Sequence, residues 1–196
     1  IVVSYGLCEL AYGTHYNSQV LVGPEGLIGV QSKVHASRDE YFSFRMGRSL
    51  SVFDIGFCRV GTLVCYDSRF SEAWRVLTLK GAEMILLPHA ARSGLGKRIP
   101  GDKQVADLRI NLKGLPEGYG VYAKENAVFA VFGNQVDFNG HSTHSGGAYV
   151  IDPFGKVLVK SKASIIDLMI TAELNPETLS KVRRNSHYTV KTRRPE

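Results

Sequence analysis

The chain predicts an α/β domain in which mixed sheets pack with helices, and three features carry that expectation. Two near-continuous apolar runs, Arg59 to Val64 and Met84 to Pro88, read as strands buried on both faces. Between them, Ser71 to Lys80 reads as a helix with Ala73, Val76, Leu77 and Leu79 on its inner side and Gly81 as its stop. Two turn-forming tetrads, Gly23-Pro24-Glu25-Gly26 and Asp152-Pro153-Phe154-Gly155, each lie between apolar runs and read as hairpins.

The remaining elements follow in order. Ile1-Val2-Val3 opens the chain as a strand entered midway, which predicts an N-terminally incomplete sequence. Leu50 to Ile55 reads as a strand, and residues 92–120, rich in Gly, Lys and Pro, as a long loop of the kind that often carries function. A short helix over Gly120 to Ala127 leads into the strand Val128 to Phe132. Asp137 to Gly147 is polar and Gly-rich. Ile165 to Leu174 reads as a strand, and Pro176 to Arg184 as a helix capped by Asn175. No repeat and no internal boundary is visible, so residues 1–196 read as one domain.

Composition excludes several classes of function. At 44% hydrophobic and 21% charged, the chain can bury a core. No apolar run approaches the ~20 residues that a membrane span needs. Cys8, Cys58 and Cys65 are too few and too irregular for a disulfide framework, which points to a reducing, cytoplasmic setting. There is no CxxC pair and no HExxH helix, so no metal cofactor is expected. The net charge of +6 is concentrated at the C-terminus, where Lys181, Arg183, Arg184, Lys191, Arg193 and Arg194 face Glu196 alone. His187, Tyr188 and Val190 interleave with these cations and no nucleic-acid motif accompanies them, so a structural or subunit contact is expected there rather than nucleic acid.

Cys65 is the sharpest chemical feature. It ends a buried strand and stands at the turn into the next helix. A helix N-terminus supplies N–H groups and a positive dipole end, which favour thiolate and can hold an oxyanion. Cys58 has no such turn, and Cys8 reads as a loop residue. Lys33 closes the second strand of the first hairpin, a place where lysines are usually solvated. His35 offers a Cys–His pair, although a loop or core histidine is the commoner outcome.

Five ordered segments, covering essentially the whole chain, resemble the nitrilase (carbon–nitrogen hydrolase) superfamily. They are Tyr16-Asn17-Ser18 with Val20 to Gly26; Ser32-Lys33-Val34-His35; Gly61 to Glu72 around Cys65; Gly81 to Pro88; and Glu125-Asn126, Gly133-Asn134 and Asp152 to Gly155. The resemblance implies an α-β-β-α sandwich that pairs with a second copy as a homodimer or larger homo-oligomer. It further implies hydrolysis of a small-molecule amide or N-carbamoyl bond through a cysteine thioester. By resemblance Cys65 is the nucleophile, Lys33 the oxyanion partner, and Glu40 the second Glu of the family. The general-base Glu of the family matches no residue here, its place lying ahead of the strand that Ile1 to Val3 resembles; Glu9 resembles a different position, in the loop after that strand. Negligible turnover and poor folding of residues 1–196 alone are therefore expected.

Tyr66-Asp67 after the cysteine looks like the amidase and carbamoylase branches, where true nitrilases have Trp-Glu. Tyr122 to Asn126 lacks the family's usual Arg. Tyr66, His89 and Arg92 are candidate substrate contacts, and Arg98 and Arg109 could also meet a substrate carboxylate. Three alternatives stay open: a catalytically inactive binding or assembly member, a nitrile-hydrolysing member, and an unrelated Cys–His hydrolase using His35 or His89.

Overall fold

A computed structural model describes residues 1–95, 103, 117–162, 166–185 and 189–192. They form two compact units, Ile1–Pro88 and His89–Glu196, each taken by itself below. Among the described residues, no helix is long and apolar enough to cross a membrane.

The first unit opens with the three-stranded antiparallel sheet β1 (Val3–Ala11), β2 (Thr14–Gly23) and β3 (Gly26–Ser32), in that order. Tyr12 and Gly13 join β1 to β2 with φ of 53° and 73°, the left-handed pair that a two-residue hairpin turn requires. Pairing runs from Val3↔Val22 to Ala11↔Thr14, so Cys8 and Glu9 lie in a strand and not in a loop. The interruptions by Gly6 and Glu9 hide this strand from a reading based on apolar alternation. The predicted second hairpin is present, with Val20↔Val30 in register.

A short helix α1 (Glu40–Ser43) and strand β4 (Val52–Asp54) lead to β5 (Arg59–Thr62). A 3-10 turn, Cys65–Arg69, and helix α2 (Ser71–Leu79) then connect β5 to the parallel strand β6 (Met84–His89), with Val60↔Met84 in register. Parallel neighbours need such a crossover. Its packing is close: a Cβ on Gly61 would stand 2.7 Å from Leu77 Cδ1. Leu63, Trp74, Leu77, Ile85 and Leu87 are fully buried. The Trp74 indole donates to Ser68 O at 2.8 Å, anchoring the helix to the turn that carries Cys65.

Gly47 lies against the Lys33 segment. Its N–H donates to Lys33 O at 2.7 Å, and a Cβ there would stand 2.5 Å from Ser32 O, a backbone atom that cannot swing aside. Gly47→Ala is therefore expected to destabilise the protein by about 1–3 kcal/mol, as overpacking does; a thermal melt of the variant with an unchanged midpoint would contradict this.

In the second unit, β7 (Arg92–Leu95), β9 (Val136–Phe138) and β10 (Ser142–Ser145) form a small sheet in the order β7-β10-β9. The sequence suggests only a loop over 92–120 and a polar run over 137–147; three short strands occupy parts of these. Their ladder buries Thr143 and His144 despite their polarity, which is why no hydrophobic pattern announces it. Burial also holds His144 below its ordinary pKa. Residues 117–126 form helix α3, followed by β8 (Phe129–Asn134) and the hairpin β11 (Ala148–Ile151) and β12 (Val157–Lys160). Asp152 shapes that hairpin: its Oδ1 accepts from Phe154 N and Lys156 N, both at 2.9 Å, and Gly155 takes φ of 83°. Helix α4 (Pro176–Arg184) has the predicted cap, Asn175 Oδ1 accepting from Glu177 N at 2.8 Å.

One expected strand is absent. Residues 166–174 are irregular, and Ile166, Leu168 and Met169 are exposed. Apolar side chains alone do not make a strand without a ladder partner for the backbone.

Candidate active site

Lys33 follows β3 directly, where the local sequence favours a solvated side chain. The structure buries it instead, at 1% exposure. A buried ammonium requires a partner, and Glu40 supplies it: Lys33 Nζ lies 2.5 Å from Glu40 Oε2. The carboxylate is itself held on both oxygens. Oε2 also accepts from Ser37 N at 2.6 Å, and Oε1 from Asn17 Nδ2 at 3.1 Å. Asn17 works at both ends, because its carbonyl accepts Lys33 N at 2.8 Å. The lysine is thus fixed by β2 through Asn17 and by α1 through Glu40. Beneath this cradle, Ser18 Oγ donates to Glu9 Oε2 at 2.6 Å, so Glu9 is engaged across the β1–β2 pair.

Cys65 is the first residue of the 3-10 turn and has φ of 51°. This left-handed conformation is unfavourable for a side chain with a Cβ, and such strain gathers at functional positions. The turn holds it there: Ser68 Oγ donates to Cys65 O at 2.6 Å, and Asp67 N donates to Val64 O at 3.2 Å. Cys65 is partly exposed, and so is Cys58, whereas Cys8 is exposed on β1. None of the three forms a disulfide. Tyr66 is about a third exposed and meets Phe70 edge-on, with ring centroids 5.4 Å apart.

The loop after Lys33 and the turn around Cys65 share one anchor, the carboxylate of the fully buried Asp67. It accepts from Val34 N, His35 N, His35 Nδ1 and Val64 N. His35 is therefore not a free loop histidine: its Nδ1 is committed to Asp67, and its ring stacks on Phe70 at 3.9 Å. Sequence reading assigned Asp67 only to branch identity and missed this link, as it missed Ser37.

His89 and Arg92 belong to the second unit. His89 Nε2 lies 3.3 Å from Tyr119 Oη, and its ring packs on Phe132. Arg92 is exposed at the start of β7, opposite His144. Arg98 and Arg109 lie outside the described residues. Among the described residues, no group of three or more His, Cys, Asp or Glu side chains could hold a metal ion.

A strained cysteine at a strand-to-helix turn, and a buried lysine–carboxylate pair tied to that turn through Asp67, stand together in an α/β fold. The family profile for carbon–nitrogen hydrolases matches residues 1–184, and the chain belongs to that family. It is 30% identical over 189 residues to an (R)-stereoselective amidase from a Pseudomonas species, covering 96% of this chain and 62% of that protein. It is 39% identical over 100 residues to a nitrilase from Pyrococcus abyssi, covering 47% of this chain and 38% of that protein. A solved carbon–nitrogen hydrolase from Helicobacter pylori G27 superposes with a TM-score of 0.79 at 24% identity, over 98% of this chain and 67% of that one. This likeness shows the fold, the nitrilase-like α-β-β-α sandwich. The chain spans under two-thirds of the length of both these curated relatives.

Proposed function

We propose that the protein hydrolyses a non-peptide carbon–nitrogen bond, in an amide or an N-carbamoyl compound, with Cys65 as nucleophile. The observation that carries this reading is the buried Lys33–Glu40 pair, joined through Asp67 to the turn that bears Cys65. The thiolate adds to the carbonyl carbon, and the oxyanion that forms is stabilised by Lys33 and by backbone N–H near Tyr66. Each such donor contributes roughly 3–4 kcal/mol in comparable sites. Collapse breaks the C–N bond, the nitrogen leaves protonated as ammonia or amine, and a thioester remains on Cys65. Water then cleaves the thioester and regenerates the thiol. The thiol proton ends on the leaving nitrogen, and the attacking water supplies the hydroxyl of the acid product and the proton that returns to sulfur. Glu40 holds the ammonium of Lys33 in place. Tyr66 is a substrate contact in this unit, and His89 and Arg92 are proposed contacts of the second. Three cysteines outside any disulfide accord with a reducing compartment, and assembly with a second copy belongs to the same reading.

The amidase relative supports this substrate class, as does Tyr66-Asp67 after the cysteine. A second reading, nitrile hydrolysis, draws on the higher identity to the Pyrococcus nitrilase, over a shorter stretch. Ammonia release from matched amide, N-carbamoyl and nitrile panels separates the two. Turnover is expected with the first two panels and absent with nitriles; turnover of nitriles alone would reverse the assignment.

A further inference from the structure

We infer that Asp67 is a positioning residue for this reaction, locking the lysine loop and the cysteine turn into one rigid piece with His35 as its second clamp. The inference rests on the hydrolase reading above. The two Asp67 oxygens divide the work: Oδ1 holds the lysine loop, and Oδ2 bridges that loop to the cysteine turn. Oδ1 accepts from His35 N at 2.7 Å and from His35 Nδ1 at 2.8 Å. Oδ2 accepts from Val34 N at 3.3 Å and from Val64 N at 3.2 Å. Val34 follows Lys33 directly, and Val64 precedes Cys65 directly. A single carboxylate therefore holds the chain one peptide away from each of the two groups that the proposed chemistry needs.

The chemistry of the site requires a carboxylate. Asp67 is 0% exposed, and burying an unpaired anion is costly. Here four donors converge on it, and Asp67 lies in the first turn after β5, where the N-terminal dipole favours negative charge. An asparagine would keep one acceptor oxygen and turn an NH2 group toward N–H donors, so one pair of bonds would be lost: the two to His35, or the two that bridge Val34 and Val64. The His35 ring adds a fixed boundary: it is held by Oδ1 on one edge and stacked on Phe70, interplanar angle 17°, on its face. That stacking restricts the loop in addition to the hydrogen bonds. Misplacing a reacting group by an ångström costs about 10²-fold in rate, so the clamp acts on turnover more than on binding.

The test uses the full-length protein as encoded, in a Cys8→Ser, Cys58→Ser background, with Asp67→Asn and His35→Ala as variants. For Asp67→Asn a fall in kcat on the order of 10²-fold is expected, with KM within about threefold and a melt that stays cooperative. His35→Ala, which keeps both Oδ2 bonds, should fall between this variant and the parent. Iodoacetamide alkylation of Cys65, followed by mass spectrometry, reads the presentation of the thiol without any substrate, and it should slow in the same order. A parent protein that hydrolyses nothing would overturn the hydrolase reading, while the alkylation order would still decide the clamp. A folded Asp67→Asn variant with parental kcat and parental alkylation overturns the clamp. If Asp67→Asn fails to fold, His35→Ala decides it: a parental melt with parental kcat and alkylation overturns the proposal, and a parental melt with both rates lowered supports it.

Discussion

Cys65→Ala is expected to abolish hydrolysis, by on the order of 10⁴-fold or more, because no other group can take the acyl carbon. Cys8→Ala and Cys58→Ala should retain most of the activity. The difference follows from location. Cys8 is exposed on β1, and Cys58 lies in the connection between β4 and β5, where its Sγ sits 3.8 Å from Arg59 O. Only Cys65 occupies a strained turn between a buried strand and a helix. Initial rates of ammonia release, with circular dichroism to confirm the fold, check all three. An equal loss from Cys58→Ala in a folded protein would remove Cys65 from its place.

Lys33→Ala should lower kcat by on the order of 10²-fold or more, as loss of a preorganised transition-state donor does. The fold should survive, because Glu40 keeps Ser37 N and Asn17 Nδ2 as donors and stays partly solvated. Removal of the carboxylate instead is the harsher change for stability. Glu40→Ala strands an ammonium that is 1% exposed, at a cost of about 3–5 kcal/mol typical of a broken buried pair. Comparing the two variants by thermal melt and by kcat separates the chemical part of the pair from its structural part. A Lys33→Ala variant with unchanged kcat would make the lysine a structural counter-ion only, and would favour a Cys–His mechanism.

Much of the frame was legible because it is local. The apolar runs before Cys65 and before Pro88, the helix between them, both Gly/Pro turns and the Asn175 cap each follow from residues within a few positions of one another. The burial of Lys33 was not legible in its own segment. Ser32-Lys33-Val34-His35 carries no apolar pattern, and the carboxylate that justifies the burial sits on a four-residue helix too short to show periodicity. It was the resemblance, not the pattern, that brought Lys33 and Glu40 forward. Asp67 escaped for a related reason: its partners are more than thirty residues away, and backbone N–H groups leave no trace in a sequence. The strand expected over residues 165–174 fails conversely, since apolar character was visible there and the partner strand was not.

The backbone at Cys65 carries a consequence for how this position can vary. At φ of 51° a Cβ is a burden and a glycine is at ease. Considered only for folding, position 65 favours the one residue that has no side chain and hence no sulfur. The thiol occupies a place where thermodynamic comfort and chemical competence point to different amino acids. Drift under selection for robustness alone would run toward a quieter, better-folded and inert protein.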